Sequence, residues 1–297
     1  MRLYVIGAEG QVARSLREAA GANPDVTLSC SSRPTVDILD PASVAAAIAS
    51  FRPDVIVNPA AYTAVDRAED EPERAFAINR DGAQAVAWIA REHDLPVIHL
   101  STDYVFDGDK AGAYLETDDA NPQGVYGRSK REGEIVVARA NPHHVILRTS
   151  WVYAPFGNNF VRTMLRLAGE RDRIRVVNDQ AGCPTYAPDI AAAIISISRK
   201  IRNWRDEYAG ITNLAGPDAM TWYEFACAIF RQSAARGGPS VTVEPITTSE
   251  YPTRAARPVN SRLSTRRLQS LFDVGMPLTE ASLASCLDRL LGRRGAQ

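Results

Sequence analysis

The strongest indication of the fold is the stretch LYVIGAEGQVARSLREAA, residues 3–20. It opens with a short apolar run at 3–7, as expected of a strand that is buried on both faces. Gly7, Gly10 and Ala13 then follow with the spacing G-x-x-G-x-x-A. Glycines allow the tight turn and the close backbone approach that a pyrophosphate needs, and a helix N-terminus attracts the anion. The stretch therefore predicts the first strand, turn and helix of a dinucleotide-binding fold.

Outward from this stretch, the first half of the chain alternates apolar strand patterns with helical patterns. The further predicted strands are 26–30, 54–58, 96–102 and 144–150, and the predicted helices are 11–20, 40–51, 72–92 and 126–139. Short apolar strands separated by helices indicate a parallel, doubly wound sheet. We therefore predict an α/β, Rossmann-like fold whose nucleotide-binding domain spans residues 1–150.

The pattern loosens after about residue 150. Residues 151–297 are predicted to form a smaller C-terminal lobe that mainly binds substrate, with segments at about 174–215 returning to the main sheet. A proline-rich stretch, EPITTSEYPTRAARP at 244–258, is predicted to be a loop. Long ordered loops in compact domains are usually functional, so this loop is a candidate part of a binding site.

Composition limits the class of protein. The 297 residues include 45% apolar and 23% charged residues with a formal net charge of −1, as is typical of a globular protein. The near-neutral charge disfavours nucleic acid as a partner, and no apolar run reaches the length of about 18 residues that a membrane span requires. The cysteines, which are widely spaced, are Cys30, Cys183, Cys227 and Cys286. They indicate free thiols in a reducing compartment, so we expect a cytoplasmic protein with no metal site.

The end of the second predicted strand indicates the cofactor. Many NAD-binding proteins place an acidic residue there to bind the ribose 2′-hydroxyl, whereas this chain has CSSRP, with Ser31, Ser32 and Arg33. Two hydroxyls and a guanidinium suit a 2′-phosphate; the other interpretation is a solvated turn. We therefore predict NADPH as the cofactor, with NADH as the alternative. Asp37 and Ile38 follow and could contact the adenine.

Tyr126 and Lys130, in the stretch YGRSK, lie four residues apart and so share one face of a predicted helix. A phenol has a pKa of about 10, and a neighbouring ammonium lowers that pKa, so that the tyrosine can exchange a proton with a substrate oxygen. Such a proton complements the hydride that a nicotinamide gives to a carbonyl carbon. Thr102 follows the fourth predicted strand, at the sheet edge where doubly wound folds bind ligands. We therefore predict that the NADP(H)-binding domain carries a catalytic Thr102, Tyr126 and Lys130.

Several stretches together resemble the dTDP-4-dehydrorhamnose reductase family of extended short-chain dehydrogenases/reductases. They are GQVA (10–13), RPDVIVNPAAYTAVDRAE (52–69), STDYVFDG (101–108), GVYGRSK (124–130), RTSWVYAPFGNNFVRTMLRLA (148–168), NDQAGCPT (178–185) and YPTRAARPVNSRLST (251–265). The resemblance covers nearly the whole chain in the right order. It implies reduction of the C4 keto group of dTDP-4-dehydro-L-rhamnose to dTDP-L-rhamnose, with Tyr126 giving the proton.

The resemblance also implies roles for individual residues. Around the cofactor, Gly10, Gln11 and Val12 would line the pyrophosphate turn, Asp37 and Ile38 would hold the adenine, and Ala61, Tyr62 and Thr63 would border the cofactor after the third strand. Lys130 would also hold the nicotinamide ribose. Around the substrate, Thr102 would bind the C4 oxygen, Asp103 would lie beside the sugar, Trp151 would pack on the deoxysugar, and Arg257 and Asn260 would meet the nucleotide diphosphate, with Arg254 and Arg262 competing for that role.

The chain departs from the family in a feature that concerns assembly. Some members are described as dimers held by magnesium through glutamates, whereas Ser15 and Pro188 occupy the corresponding positions here. Neither residue is a useful magnesium ligand, so we expect a monomer or a homodimer without a bridging metal. Two other functions stay open: an epimerase or dehydratase of another nucleotide sugar, and a non-catalytic NADP-binding protein like the regulatory subunit of methionine adenosyltransferase. The intact set of Thr102, Tyr126 and Lys130 favours the reductase.

Overall fold

The computed structural model describes residues 1–292, which are built around one large parallel sheet. The strands are β1 (Arg2–Ile6), β2 (Thr27–Ser31), β3 (Val55–Asn58), β4 (Val97–Thr102), β5 (His144–Thr149), β6 (Val152–Tyr153), β7 (Arg173–Val177), β8 (Ala181–Gly182), β9 (Thr185–Tyr186), β10 (Gly210–Asn213), β11 (Met220–Thr221), β12 (Thr242–Ile246) and β13 (Asn260–Ser261). The helices are α1 (Gln11–Gly21), α2 (Pro41–Phe51), α3 (Val65–Ala68), α4 (Pro72–Phe76), α5 (Ala83–Glu92), α6 (Val125–Ala140), α7 (Phe160–Ala168), α8 (Ala187–Ile201), α9 (Trp222–Ala234), α10 (Arg266–Phe272) and α11 (Thr279–Leu291).

The main sheet has the strand order β10–β5–β4–β3–β1–β2, and each neighbouring pair is parallel. From β1 the chain moves outward to β2 and then returns to β3 on the other side of β1. This reversal opens a crevice at the carboxyl ends of β1 and β3, where doubly wound folds bind ligands. The Rossmann-like α/β fold class that the sequence predicts is confirmed.

Helices cover both faces of the main sheet. On one face, Leu16 of α1 and Ile194 of α8 belong to the same apolar cluster as Val57 of β3. On the other face, Ile48 of α2 and Val86 of α5 belong to a second cluster. Since the central strands are covered on both sides, they read as continuous apolar runs rather than as alternating ones.

Local signals explain where several helices begin. The Asp40 side chain accepts a hydrogen bond from the backbone of Ala42, with Pro41 in the first helical position of α2. The helix predicted at 72–92 begins at Pro72, but it is not regular. A π-helical segment, Ala77–Gly82, separates α4 from α5, and π segments often lie at functional sites.

The later part of the chain divides between two structures. Helix α8 and strand β10 join the main sheet, but β7 pairs with β12 instead. The prediction that the returning segments start near residue 174 is therefore wrong for β7, because its partner strand comes from later in the chain. The same pairing makes Thr242–Ile246 a strand where the predicted loop begins; its Pro245 is tolerated because a two-stranded sheet has only edge strands.

We define the smaller lobe as α7, α9 and α11 with β7 and β12. Its core contains Phe225 and Ile229 of α9 together with Leu283 and Leu287 of α11. Within residues 1–292, no helix combines the length and the apolar character needed to cross a membrane.

Candidate active site

Strand β4 delivers two polar side chains to the carboxyl edge of the main sheet. Thr102 is its last residue, and Asp103 begins the 3-10 turn that follows. Both are buried, and the Thr102 hydroxyl donates to Asp103 Oδ1 at 2.9 Å. Burial raises the pKa of Asp103 to about 6, although the neighbouring hydroxyls of Ser261 and Thr102 oppose the shift. Its other oxygen, Oδ2, is buried and has no hydrogen-bond partner among the described residues.

Tyr126 reaches the same edge from the first turn of α6. Thr102 lies close enough to lower the pKa of its phenol, and its ring meets the edge of the Tyr104 ring at a centroid distance of 5.5 Å. Burial raises the pKa of Tyr126; Thr102 lowers it only in part, and Asp103 and Tyr104 raise it further. The structure thus brings Thr102 and Tyr126 together, and it keeps the phenol protonated at neutral pH.

Lys130 is buried one helical turn after Tyr126. Its ammonium donates to the Leu100 carbonyl at 2.6 Å and lies 3.4 Å from Nε2 of His99. Burial lowers the pKa of Lys130 to about 8, against an opposing effect of Glu134. Lys130 is not among the groups that shift the pKa of Tyr126. The expected lowering of that pKa by the ammonium is therefore not found, because the ammonium is directed to Leu100 and burial dominates the phenol.

His99 lies beneath Lys130 and was not identified from the sequence. It is fully buried on β4, and Nδ1 lies 3.3 Å from the Asn58 amide nitrogen at the end of β3. Burial, and then the charge of Lys130, lower the pKa of His99 well below its ordinary value. The imidazole is therefore neutral, and an apolar strand pattern with one histidine gave no sign of this contact.

A second buried charged pair supports the same edge. Arg148 of β5 donates to both carboxylate oxygens of Glu134 on α6, at 2.8 and 2.7 Å, and Ser101 of β4 donates to Glu134 at 2.6 Å. Burial alone raises the pKa of Glu134, but Arg148, Ser101 and Arg131 outweigh it and leave the pKa below its ordinary value. The pair ties α6 to β4 and β5, and so fixes the helix that carries Tyr126.

The turn from β1 to α1 has the features of an anion site. Gly7 adopts a φ of +100°, which favours glycine, and a side chain at Gly10 would meet no described atom within 4 Å. Among residues 1–292 no side chain caps α1, so its first backbone N–H groups are available to a diphosphate. The side chain of Val12 packs into the core, so only its backbone can serve a ligand. Gln11 accepts a hydrogen bond from Asn159 at 2.9 Å, which connects this turn to the start of α7.

The predicted 2′-phosphate group lies at the end of β2. Ser31 is the last residue of that strand, Ser32 is half-buried and Arg33 is exposed. Arg33 forms no ion pair within residues 1–292, which leaves its guanidinium available. A second cation, Arg17 of α1, lies near the same strand end, since it lowers the pKa of Cys30 against the larger raising effect of burial. Sequence reasoning did not identify Arg17, because its position near the end of β2 depends on how α1 packs beside that strand and not on any local motif.

The predicted adenine residues occupy the following turn. Asp37 accepts a hydrogen bond from the Leu39 backbone at 3.0 Å and is half-buried. Ile38 is buried against Gly82, at the end of the π-helical segment. The two residues therefore lie between β2 and α5, and the face of Ile38 that packs on Gly82 is already occupied.

The loop after β3, with Ala61, Tyr62 and Thr63, is held by Asn79 of the π-helical segment. The Asn79 amide accepts from the Tyr62 backbone at 2.8 Å, donates to the Tyr62 carbonyl at 3.1 Å and donates to the Ser129 hydroxyl of α6 at 2.9 Å. The Tyr62 hydroxyl is directed away, to Glu71. The loop can therefore offer a cofactor its backbone and its small side chains, and Asn79 is a positioning residue that no sequence pattern revealed.

Ion pairs tie the later part of the predicted loop at 244–258 to residues in and just after α3. Arg257 donates to Asp66 at 2.6 Å and lies over the Tyr104 ring at 6.0 Å, and Arg254 pairs with Asp70. Arg257 is thus close to the catalytic edge, whereas Arg254 is an exposed tether.

Asn260 is hydrogen-bonded to several neighbouring residues. Its amide donates to the carbonyls of Lys110 and Gly112, at 2.6 and 2.8 Å, and its oxygen accepts from Arg262 at 2.7 Å. All of these bonds are within the chain, so Asn260 anchors a loop. Beside it lies a cavity of about 620 Å³. The cavity is lined by residues that include Lys110, Asn178, Thr221, Asn260 and Arg262.

The positions discussed for magnesium have other contacts. Ser15 is buried and donates to the Gln11 carbonyl at 2.8 Å, and Pro188 lies in the first turn of α8. Across residues 1–292, no three His, Cys, Asp or Glu side chains are grouped so as to hold a metal ion.

Comparison with known proteins identifies the family. The sequence profile described as the RmlD substrate binding domain matches residues 1–291. A dTDP-4-dehydrorhamnose reductase from Sinorhizobium fredii is 49% identical over 283 residues, which cover 95% of each chain. A solved dTDP-4-dehydrorhamnose reductase from Clostridium acetobutylicum has a TM-score of 0.90 at 33% identity, covering 98% of this chain and 100% of the other. Another from Bacillus anthracis, in complex with NADP, has a TM-score of 0.88 at 35% identity, covering 96% and 98%. The chain therefore belongs to the dTDP-4-dehydrorhamnose reductase family.

Proposed function

We propose that this protein is an NADPH-dependent reductase that converts dTDP-4-dehydro-L-rhamnose to dTDP-L-rhamnose. The observation that carries the proposal is the placement of Tyr126 beside Thr102 at the carboxyl edge of the sheet, together with a helix N-terminus that no side chain among residues 1–292 caps. The family relationship supports the same substrate over another nucleotide sugar. An intact proton donor supports catalysis over a regulatory role.

Each group at this edge has a proposed task. Tyr126, whose pKa burial raises, holds the proton that the C4 oxygen receives. Thr102 orients both the phenol and that oxygen. Lys130 is assigned to the nicotinamide ribose and to the tyrosinate that remains, which requires its ammonium to exchange the bond to Leu100. NADPH, when bound, supplies the hydride.

The anion-binding turn and the end of β2 fit this cofactor. We assign its diphosphate to the backbone N–H groups after Gly10, and its 2′-phosphate to Ser31, Ser32 and Arg33. The loop at 61–63 borders the nicotinamide half. NADH lacks the 2′-phosphate and is expected to bind more weakly, because it forgoes the charge-assisted contact of Arg33.

The substrate is assigned to the other side of Tyr126. The sugar lies between Thr102, Asp103 and Trp151, and the dTDP group lies toward Arg257 and the cavity beside Asn260. Free thiols suit a reducing compartment, so we place the reaction in the cytoplasm, with the protein as a monomer or homodimer that needs no metal bridge.

The direct test is an assay with dTDP-4-dehydro-L-rhamnose generated in situ. We expect loss of NADPH absorbance that depends on the sugar nucleotide, with dTDP-L-rhamnose as the identified product. UDP-glucose serves as the control substrate, and it should consume no NADPH. No NADPH consumption with the dTDP sugar would refute the proposal, and epimerised UDP-glucose would support the epimerase alternative.

A further inference from the structure

Three buried polar side chains form a line behind the catalytic edge of the sheet. Asn58 ends β3, His99 is its strand partner on β4, and Lys130 lies on α6. Each of these residues is at most 1% exposed. The amide nitrogen of Asn58 lies 3.3 Å from Nδ1 of His99, and Nζ of Lys130 lies 3.4 Å from Nε2 of the same ring. The imidazole therefore connects the end of β3 to the catalytic lysine.

A backbone contact fixes the orientation of the Asn58 amide. Its oxygen accepts a hydrogen bond from the backbone N–H of Ala60 at 3.2 Å, so its nitrogen is the atom that faces His99. An amide nitrogen only donates, so Nδ1 of His99 must be the acceptor. The imidazole is neutral, because burial and then the charge of Lys130 lower its pKa. A neutral ring that accepts at Nδ1 has its proton on Nε2, so Asn58 selects the tautomer whose N–H faces Lys130.

This tautomer suits the neutral amine of Lys130 better than the ammonium. An ammonium has three donors and no acceptor, so it meets the Nε2–H of His99 donor to donor, whereas an amine has a lone pair that accepts from it. Both forms of Lys130 can donate to the Leu100 carbonyl, at 2.6 Å. Because an unsatisfied buried donor costs free energy, the contact with His99 favours loss of the proton from Lys130.

The other charged groups around Lys130 leave this contact in control of its last donor. Glu134, one turn later on α6, favours the ammonium, but its carboxylate is already paired with Arg148 of β5. Burial raises the pKa of Tyr126, so the phenol is uncharged, and Asp103 in the turn after β4 acts on that phenol. Burial lowers the pKa of Lys130 to about 8, so the residue is charged below that pH and loses its charge above it.

We propose that Asn58 and His99 are positioning residues that limit the charge of Lys130, because the tautomer that Asn58 selects presents a donor to it. This inference rests on the proposed function and deepens it, since the ammonium is the form assigned to the nicotinamide ribose and the tyrosinate. When Lys130 loses its proton, the tyrosinate loses its positive neighbour. Asn58 and His99 therefore set the alkaline end of the pH range in which the enzyme is active.

Nitrogen-15 NMR of protein labelled at histidine reads the tautomer without turnover. The chain has four histidines, and single glutamine variants of the other three assign the signals of His99. We expect the Nε2–H tautomer in the wild type. In Asn58→Asp we expect the Nδ1–H tautomer, because a carboxylate accepts from Nδ1 and still accepts from the Ala60 backbone. An Nδ1–H tautomer in the wild type would overturn the inference.

The pH profile of kcat/KM, which reports the groups of the free enzyme, tests the effect on Lys130. The alkaline limb of the wild type is expected near pH 8, where Lys130 loses its charge. In Asn58→Asp the Nε2 of His99 becomes an acceptor and favours the ammonium, so the limb should move upward by about one pH unit. The ratio of kcat/KM at pH 9 to that at pH 7 should then rise about fivefold.

Two further variants separate the tautomer from the added charge and from the substitution itself. Asn58→Leu removes the donor to His99 without adding a charge, and should move the limb in the same direction by a smaller amount. Asn141→Asp is the matched control at the far end of α6. Asn141 is also buried and next to a histidine, since its carbonyl accepts from Nδ1 of His144 at 2.7 Å. It should leave the limb in place.

The outcomes distinguish this inference from the proposed function. A limb that moves in Asn58→Asp while His99 keeps its Nε2–H tautomer would show that charge alone acts on Lys130, and would overturn the inference. An unmoved limb in Asn58→Leu, or an equal movement in Asn141→Asp, would also overturn it. A wild type that has the Nε2–H tautomer but consumes no NADPH with the dTDP sugar would instead overturn the proposed function.

Discussion

Helix α6 has two buried charged groups one turn apart, and they differ in how completely hydrogen bonds and ion pairs satisfy their charges. Glu134 has both carboxylate oxygens bonded, to Arg148, Ser101 and Arg131. Lys130 has one carbonyl and a neutral imidazole, and its pKa falls to about 8. Nearby Asp103 has one oxygen with no hydrogen-bond partner in the described part of the chain, and its pKa rises to about 6.

The extent of pairing distinguishes buried charged groups that stabilise the fold from those that can take part in the reaction. A buried charge that is fully paired keeps its ionisation state and stiffens the elements that it joins. A buried charge that is only partly paired has a shifted pKa and can respond to a ligand or a proton. Paired Glu134 is therefore expected to affect stability, and the underpaired groups are expected to affect turnover.

The largest effect is expected at the catalytic edge, where the partly paired groups Lys130 and Asp103 lie near Tyr126. Tyr126→Phe keeps the ring and removes the proton, so kcat should fall about a hundredfold to ten-thousandfold, with an unchanged Kd for NADPH. Steady-state rates and cofactor titration measure the two quantities. Tyr208→Phe, in a turn packed on Phe272, is the control and should behave as wild type. Wild-type turnover in Tyr126→Phe would refute its role as the proton donor.

Breaking the paired end should cost stability. Arg148→Met leaves the Glu134 carboxylate buried without its main partner, so the free energy of unfolding should fall by about 3–5 kcal/mol. Urea unfolding measures the loss. The double variant Glu134→Gln/Arg148→Met removes both charges and should recover most of it. Equal losses in the single and double variants would show that packing, rather than the unpaired charge, sets the cost.

Asp103→Asn should stabilise the protein while it reduces activity. The folded state raises the pKa of Asp103 from 3.8 to about 6, so folding takes up a proton in that window and stability falls as pH rises through it. Asn does not titrate, so the variant should gain on the order of 1–3 kcal/mol above about pH 7, and the gain should vanish below about pH 4. Thermal unfolding across pH measures this. A stability gain that does not vary with pH would show that the carboxylate is not the cause.

The comparison of paired and unpaired charges extends to the exposed guanidinium of Arg33, at the predicted 2′-phosphate site. Arg33→Ala should weaken NADPH binding by about tenfold or more and leave NADH binding unchanged, because only NADPH has the 2′-phosphate. Titration of the two cofactors gives both dissociation constants. Arg17→Ala is the matched variant at the same strand end. A selective loss in Arg17→Ala alone would move the phosphate contact to α1.

The smallest effect is expected from a chelator. Glu18, on α1, is already bonded by Arg289 through both oxygens at 2.9 Å, and Ser15 and Pro188 offer no carboxylate. EDTA should therefore change neither the molar mass, measured by light scattering, nor the rate of NADPH oxidation. A dimer that dissociates with EDTA and returns with magnesium would show ligands that these positions do not supply.

The first half of the fold follows from sequence because its signals are local. Asp40 and Pro41 start α2 by bonds within one turn, and the glycines after β1 serve one turn of backbone. The pairing of β7 with β12 joins segments about seventy residues apart, and no short pattern encodes it. The site residues also divide into those that a local motif predicts and those whose role depends on tertiary contacts.

Tyr126 and Thr102 were predicted from motifs, and the structure places them together. The contacts of Lys130 with Leu100 and His99, and those of Asn79, depend on how strands and helices are stacked. Sequence gives the identity of such groups but not their neighbours, so the direction of the Tyr126 pKa shift could not be predicted from the motif.

The π-helical segment makes the exact number of residues between α4 and α5 important. A π turn has one residue more than the α-helix around it, and here that extra residue sets the direction in which Asn79 projects toward Tyr62 and Ser129. Deleting one residue from Ala77–Gly82 would restore a regular helix and rotate Asn79 by about 100°. Insertions and deletions that are harmless in the outer loops would therefore be expected to fail here, even where every side chain of the site is kept.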